Sequence, residues 1–296
     1  QMVTLEVAKA NELNLAGTLS TSSTCYEQRN LFVQEQQVKV VSLFSGCGGM
    51  DIGFSGGFRS LNNWYEHLPF DIEWANDINE FACKTYKHNL GKEIVCGDVW
   101  DVLDTLPDYA DLVIGGFPCQ DISVNGKCAG IQGAKSGLYR AMVEAVKRLK
   151  PKIFVAENVK GLLMRNNRAS LEKVISDFTK IGYQVDYNGV PQTRDRVFII
   201  GTQPGTDFQP PKRTLSKSEH ITASQAIADL ETIPEDESIN HVWSKASRSP
   251  EQGDRCLKAD RPGYTIRAEC HGNIQFHYSQ PRRISMREAA RIQSFP

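Results

Sequence analysis

The chain has 296 residues, a formal net charge of −1, 40% hydrophobic residues and 23% charged residues. This length can bury a full core, the composition is ordinary for a soluble protein, and the net charge argues against a protein that coats nucleic acid uniformly. No apolar run approaches the roughly 20 residues that span a bilayer, and the N-terminus lacks a signal-peptide core, so we expect a cytoplasmic protein without a membrane partner. The eight cysteines have neither CxxC nor zinc-like spacing, so no disulfide framework and no metal site are predicted.

Strand-like and helix-like segments alternate along the first two thirds of the chain. Residues 1–38 are polar and are interpreted as an N-terminal extension. Over residues 39–201 the predicted strands are Val38–Phe44, Ile72–Asn76, Glu93–Cys96, Asp111–Ile114, Ile153–Ala156, Gln184–Tyr187 and Val197–Ile200, and the predicted helices are Asn79–Asn89, Gly137–Leu149 and Ser170–Ile181. This alternation predicts an α/β domain with a mostly parallel, twisted sheet and helices on both faces.

The last third of the chain has a different composition. Residues 202–280 are rich in Pro, Ser, Thr, His and charge, with strand-like pieces at Tyr264–Ala268 and Asn273–Tyr278, and predict a small irregular, partly β module. Residues 281–296 return to a helical pattern that opens with the capping-box spacing of Ser285 and Glu288. From residue 241 to 296, ten Lys and Arg residues stand against five acids, which suits either a phosphate-binding face or an ordinary solvated surface.

Two segments that directly follow predicted strands carry reactive side chains. Gly115–Gln120 contains Cys119, and Glu157–Val159 begins with a carboxylate. Because the carboxyl ends of parallel strands meet at one crevice, we expect the thiol and the carboxylate to face the same pocket. Such a pairing indicates covalent catalysis with a nucleophile and an acid, although either residue alone is also typical of a packed thiol or a helix cap.

A glycine-rich loop and two acids at strand ends indicate a nucleotide-like ligand. Phe44–Gly49 follows the first strand, and closely spaced glycines there let the backbone approach a ligand at a helix N-terminus. Asp77 ends the second strand and Asp98 follows the third, where acids commonly accept ribose hydroxyls, although either acid can equally be an N-cap.

Taken together, these motifs resemble the DNA (cytosine-5) methyltransferase family of bacterial modification enzymes. The motifs, in family order, are Phe44, Gly46, Gly48 and Gly49, then Pro118, Cys119 and Gln120, then Glu157–Val159, then Gln192, Arg194 and Arg196, then Arg287–Pro296. The resemblance covers residues 39–201 and 281–296 and implies a Rossmann-like S-adenosylmethionine-dependent methyltransferase fold. It also implies a target-recognition domain at residues 202–280 and a return to the catalytic domain at 281–296.

The resemblance implies roles for the catalytic residues. Cys119 would add to C6 of a cytosine that is flipped out of the duplex, so that C5 can take the methyl group. Glu157 would bind N3 and the exocyclic amine. Arg196, with Arg194 beside it, would contact the base O2 or the backbone.

The resemblance also implies ligand-binding residues. The residues assigned to S-adenosylmethionine are Phe44, Gly46, Cys47, Gly49, Asp77, Ile78, Asp98, Val99 and Pro118. Of these, Cys47 is equally well read as a small residue that fills loop space. The residues assigned to double-stranded DNA are Gln120, Ser123, Gln192, Thr265, Arg267, His271 and Asn273. A cognate restriction endonuclease, or an orphan role without one, goes with this assignment, as does a prokaryotic, nucleoid-associated location.

Two features depart from the family pattern. The join between the strand near Gln184–Tyr187 and the Gly189–Gln192 motif is short, and the family's C-terminal cofactor-pocket segment has no counterpart before Pro296. The alternatives are an RNA (tRNA) cytosine methyltransferase of the same fold and a catalytically inactive DNA-binding relative. A nicotinamide oxidoreductase would leave the Cys119 and Glu157 motifs unexplained.

Overall fold

The computed structural model describes residues 37–61, 63–118, 136–190, 196–206, 208–209, 216, 219–245, 255–266 and 275–296. The strands of these ranges are β1 (Val38–Leu43), β2 (Phe58–Ser60), β3 (Asn63–Tyr65), β4 (Phe70–Asp77), β5 (Val95–Cys96), β6 (Leu112–Gly115), β7 (Ile153–Val159), β8 (Gln184–Val190) and β9 (Arg196–Thr202). Seven of them form one sheet in the order β5-β4-β1-β6-β7-β9-β8.

The sheet is mostly parallel, as predicted. β5, β4, β1, β6 and β7 run parallel to their neighbours, and β9 runs antiparallel to both β7 and β8. The chain passes from β1 to β4 on one side and later enters β6 on the other side, so the strand order reverses at β1. Ligands of open α/β sheets bind beyond the strand ends at such a switch point.

Helices cover both faces of the sheet, which also confirms the prediction. The helices of the catalytic region are α1 (Gly49–Ser55), α2 (Glu80–Leu90), α3 (Val99–Val102), α4 (Tyr139–Leu149) and α5 (Arg168–Lys180). One apolar cluster contains residues of α3, α4 and α5, and a second contains residues of α1 and α2. Along β1, Val41 and Leu43 belong to the first cluster and Val40 to the second, because successive strand residues point to opposite faces.

A short hairpin between α1 and β4 was not predicted from the sequence. β2 and β3 pair antiparallel after Gly56 and Gly57, whose φ angles are 64° and 73°. A Cβ at Gly57 would lie 2.0 Å from the His67 ring, so only glycine fits there. Leu61, at the tip, packs against the apolar cluster of the C-terminal module, which comprises the described residues from 219 to 296. The hairpin therefore links this module to the domain that contains the seven-stranded sheet.

The C-terminal module has a small core and little regular structure. Its helices are α6 (Ala223–Ile227) and α7 (Met286–Ile292), and its core cluster is Ala223, Ala226, Ile227, Leu257 and Ile284. The capping box of Ser285 and Glu288 at the start of α7 is confirmed.

The predicted strand-like pieces of the module were wrong in their described parts. Residues 264–266 form no strand, and Phe276 makes isolated bridges with Cys256 and Arg283. The buried Gln275 side-chain amide donates hydrogen bonds to the carbonyl oxygens of Tyr264 and Thr265, at 3.1 and 3.4 Å. In a β-sheet, backbone N–H groups of a neighbouring strand would make these bonds.

Candidate active site

A cavity of about 360 Å³ opens beyond the carboxyl ends of β1, β6 and β7. Its lining residues are Ser42, Leu43, Phe44, Ser45, Gly49, Met50, Gly115, Gly116, Glu157, Gln293, Ser294 and Phe295. The glycine-rich loop, the segment that leads to Cys119, and Glu157 therefore face one space, as the sequence analysis expected of their neighbouring strand ends.

The glycine-rich loop is held in a sharp turn between β1 and α1. Phe44, Gly46 and Gly48 have φ angles of 56°, 57° and 88°, in the left-handed region that favours glycine. A Cβ at Gly48 would lie 2.8 Å from the Leu90 side chain, and a Cβ at Gly49 would lie 3.0 Å from the Phe295 ring. The glycines thus allow close packing on α2 and on the C-terminal segment.

Asp77 ties the glycine-rich loop to the end of β4. Its Oδ2 accepts a hydrogen bond of 2.8 Å from the Gly46 N–H, and its Oδ1 accepts one of 2.9 Å from the Asn79 N–H. Each carboxylate oxygen has a further lone pair for a ligand hydroxyl. The neighbouring Ile78 is 67% exposed, so its apolar side chain is accessible to a flat ligand surface.

Asp98 and Val99 have structural contacts at the end of β5. Asp98 is the N-cap of α3, because its Oδ1 accepts a 2.9 Å hydrogen bond from the Trp100 N–H. Val99 is buried in the apolar cluster that contains α4 and α5. The N-cap reading of a strand-end acid, kept open from the sequence, thus describes Asp98.

Glu157 and Arg196 form an ion pair across β7 and β9. The Arg196 Nε contacts Glu157 Oε1, and the two side chains are 18% and 26% exposed. A Cβ at Gly116 would lie 3.3 Å from Glu157 Oε2, so the carboxylate lies close to the backbone of the segment that leads to Pro118. The ion pair with Arg196 therefore orients the Glu157 carboxylate at the wall of the cavity.

Asn158 holds neighbouring backbone segments in place, a role that was not predicted from the sequence. It is buried, its Nδ2 donates to the Phe117 carbonyl oxygen at 3.3 Å, and its Oδ1 accepts from the Val159 N–H at 2.9 Å. The side chain therefore fixes the end of β7 to the segment after β6. The sequence signal for this role was the position of Asn158 inside the Glu157–Val159 motif.

The structure does not describe eight of the predicted site residues. Cys119, Gln120, Ser123, Gln192, Arg194, Arg267, His271 and Asn273 lie outside the described residues. Thr265 is half-buried in the C-terminal module. Among the side chains that the structure describes, no three His, Cys, Asp or Glu residues gather as a metal site, and no helix there is long and apolar enough to cross a membrane.

The residues present fit S-adenosylmethionine. The left-handed loop offers close backbone approach, Asp77 offers carboxylate acceptors, Ile78 offers an exposed apolar surface, and the cavity joins them to Glu157. A concave site with a few convergent polar groups is the usual form of a cofactor pocket.

This fold and site define a Rossmann-like S-adenosylmethionine-dependent methyltransferase. The Dnmt2 methyltransferase of S. pombe superposes with a TM-score of 0.56 at 20% sequence identity and covers 88% of this chain and 87% of its own. The methyltransferase EhMeth of Entamoeba histolytica superposes with a TM-score of 0.58 at 18% identity, over the same shares of the two chains. The profile of the C-5 cytosine-specific DNA methylase family matches residues 38–259, and the chain belongs to that family.

Curated relatives agree with this assignment. The Type II methyltransferase M.NgoFVII of Neisseria gonorrhoeae is 34% identical over 90% of this chain and 80% of its own length. M.BbvI of Brevibacillus brevis is 32% identical over 86% of this chain and 80% of its own length. The protein is a DNA (cytosine-5) methyltransferase that uses S-adenosylmethionine as methyl donor.

Proposed function

We propose that this enzyme is the modification methyltransferase of a Type II restriction–modification system and that Cys119, Glu157 and Arg196 carry its chemistry. The observation that supports the residue assignment is Glu157, which lines the same cavity as the glycine-rich loop and forms an ion pair with Arg196. The Type II names of the curated relatives support the system assignment, and a cognate endonuclease that cuts the same DNA site is the expected partner.

The chemistry begins with activation of the base. C5 of cytosine is a weak nucleophile, so the Cys119 thiolate adds to C6, and the electron pair of the C5–C6 double bond moves to C5. S-adenosylmethionine, when bound, supplies the methyl group that C5 takes. The C5 proton then passes to a water molecule, and the C5–H electron pair restores the C5–C6 double bond. The C6–S electron pair leaves with sulfur, which returns Cys119 as a thiolate.

Glu157 and Arg196 act on the opposite edge of the ring. Glu157 holds a proton at N3 and accepts from the exocyclic amine, which stabilises the negative charge that develops as the thiolate adds. Arg196 keeps this carboxylate oriented through the ion pair and reaches the base O2. C6 is inaccessible in a stacked duplex, so the target cytosine must enter the cavity flipped out of the helix.

The geometry of the glycine-rich loop supports the cofactor residues that the resemblance implies. Phe44, Gly46, Cys47 and Gly49 form the S-adenosylmethionine loop, and Pro118 lines the methionine end. Asp77 accepts from the ribose hydroxyls, and Ile78 packs on the adenine. Asp98 accepts from the adenine amine through the oxygen opposite its cap, and Val99 contributes backbone contacts because its side chain is buried. Cys47 fills space in the loop, since burial raises the pKa of its thiol and keeps it protonated.

DNA recognition is assigned to residues 202–280, with residues 1–38 as an N-terminal extension. The excess of basic residues between 241 and 296 supports phosphate contacts there. Thr265, Arg267, His271 and Asn273 of this module read the major groove, and Gln120, Ser123 and Gln192 contact DNA beside the catalytic thiol. Arg194 supports Arg196, and the enzyme works on DNA in a prokaryotic cytoplasm.

Labelled methyl transfer tests the substrate class. The full chain, incubated with tritiated S-adenosylmethionine, is expected to label duplex DNA at C5 of one cytosine within a fixed sequence context and to leave tRNA unlabelled. Scintillation counting and base-resolution mapping of the DNA measure this result. Label in tRNA alone would replace the DNA assignment with the RNA alternative, and label scattered over every cytosine would remove the Type II assignment.

Glu157→Gln tests the role of the carboxylate. The amide keeps the shape but neither the charge nor the acid proton, so single-turnover methyl transfer should slow by about 10²–10⁴-fold. Binding of S-adenosylmethionine should change by less than about twofold, because Glu157 acts on the base. Glu172→Gln, at a well-exposed residue of α5, is the matched control. A Glu157→Gln rate above one tenth of the wild-type rate would contradict the assignment.

A further inference from the structure

A buried carboxyl group lies directly behind the cavity wall. Asp51, in the first turn of α1, is fully buried, and its Oδ1 accepts a 2.6 Å hydrogen bond from Ser42 Oγ. Ser42 lines the cavity, and Ser45 Oγ of the glycine-rich loop lies 2.8 Å from Ser42 Oγ. Asp51 is therefore one hydrogen bond away from the space that holds the cofactor.

The other carboxyl oxygen has only partial compensation in the part of the chain that the structure describes. Asp51 Oδ2 makes no hydrogen bond of regular geometry there. The nearby Tyr86 hydroxyl acts to lower the pKa of the carboxyl, but burial outweighs it. The Lys92 ammonium stabilises the carboxylate at longer range but is itself paired with Asp71. A buried carboxylate with one satisfied oxygen is destabilising unless a positive charge lies close to it.

The reaction places a positive charge in this cavity. The methyl group must travel from the donor sulfur to a base held by Glu157, and both the glycine-rich loop and Glu157 line the cavity. The sulfur of S-adenosylmethionine is a sulfonium cation, whereas that of the product S-adenosylhomocysteine is a neutral thioether. The two ligands thus differ in charge within a cavity whose wall includes Ser42, the hydrogen-bond partner of Asp51.

We propose that the Asp51 carboxylate makes the site prefer a sulfonium cation over a neutral thioether, so that the methyl donor binds in preference to the spent product. This inference rests on the proposed cofactor site. Asp51 acts through its charge and touches neither ligand, because Ser42 stands between. Burial raises the pKa of Asp51 to about 6, so the side chain carries its charge at neutral pH and loses it in mild acid.

Isothermal titration calorimetry with S-adenosylmethionine and S-adenosylhomocysteine tests the proposal. In Asp51→Asn at pH 7.5, the ratio of the product Kd to the donor Kd should fall at least about tenfold. One unit charge acting over about 12 Å at an effective dielectric near 20 contributes that factor, and a shorter separation contributes more. Glu172→Gln, which removes an exposed carboxylate of α5 and leaves Asp51 untouched, should retain the wild-type ratio. A merely structural role would weaken both ligands together and leave the ratio unchanged.

A pH series on the wild-type protein gives an independent readout. Between pH 5 and 7 the ratio should rise with a midpoint near pH 6, as Asp51 ionises, and should stay flat in Asp51→Asn. The ligand amine, with a pKa of about 7.7–8.0, is protonated throughout this range. Around Asp51, burial raises the pKa values of the Cys47 thiol and the Tyr86 phenol, so both stay protonated, and Lys92 and Asp71 remain paired.

The outcomes separate the inference from the function on which it rests. If the wild-type protein binds neither ligand, the proposed cofactor site is wrong. If it binds both with a pH-independent ratio, the inference is overturned and the cofactor site stands. The wild-type pH series decides the question even where Asp51→Asn fails to fold.

Discussion

Methyl transfer to duplex DNA is expected to fall by roughly three orders of magnitude or more when Cys119 is replaced by serine, in line with the loss of other enzymatic nucleophiles. A free thiol is already a few per cent ionised at neutral pH and is intrinsically nucleophilic, whereas a serine hydroxyl needs an adjacent base. The structure fixes the approach to this residue, since Asn158 holds the Phe117 carbonyl and Gly116 lies against Glu157.

The covalent step has its own readout. With a duplex that carries 5-fluorocytosine at the target, methylated C5 has no proton to lose, so the C6–S bond persists and a protein–DNA adduct should survive denaturing electrophoresis. Wild type and the exposed-cysteine control Cys96→Ser should both form the adduct, and Cys119→Ser should form none. A wild-type protein that methylates unmodified DNA without any trapped adduct would exclude Cys119 as the nucleophile.

The sequence predicted the sheet because the sheet depends on local pattern, and it brought Glu157 to the same cavity as the segment that precedes Cys119. Apolar runs such as Asp111–Ile114 and Ile153–Ala156 overlap β6 and β7, whose apolar residues are largely buried. The expectation that Glu157–Val159 follows its strand was wrong, because β7 continues through these residues by pairing with β9. Once these strands are parallel, their carboxyl ends must meet, so the cavity at Gly116 and Glu157 followed from order alone.

Features that depend on distant contacts could not be read from the sequence. The hairpin of β2 and β3 has three-residue strands without an apolar alternation, and its tip residue Leu61 is placed by the C-terminal module. Phe295 closes the cavity by packing on Gly49, across almost the whole described chain. Asp98 shows a different limit, because an acid at a strand end has the same signature as an N-cap and as a ligand contact.

The second large effect is expected in the C-terminal module, where Glu288→Ala should lower the free energy of unfolding by about 3–5 kcal/mol, as removal of one partner of a buried ion pair does. Glu288 is fully buried, and its two oxygens each accept a 2.8 Å hydrogen bond from the Arg282 guanidinium. It also accepts from the Ser285 N–H at 2.8 Å in the capping box of α7. Alanine would leave Arg282, stacked on Trp243, without its counter-charge.

Urea unfolding of the full protein, followed by circular dichroism, measures this change against two variants. Glu172→Gln breaks an exposed ion pair with Arg168 on α5 and should cost less than about 1 kcal/mol. Glu288→Gln keeps an oxygen for the Ser285 N–H and should fall between the two. Equal midpoints for Glu288→Ala and Glu172→Gln would show that the buried pair adds nothing to stability.

The pH dependence of this pair has a defined sign. Burial acts to raise the pKa of Glu288, but the Arg282 hydrogen bonds and the Ser285 N–H outweigh it and hold the pKa below the usual glutamate range. A carboxyl group with a depressed folded-state pKa stabilises the protein above its unfolded pKa and loses that contribution as the pH falls through the folded value. The stability gap between wild type and Glu288→Gln should therefore be full at neutral pH and shrink only below about pH 4, the ordinary range of a glutamate. α7 leads directly into Gln293–Phe295, which line the cavity, so loss of the ion pair should also weaken cofactor binding. Unchanged cofactor binding would show that the loss of stability is confined to the C-terminal module.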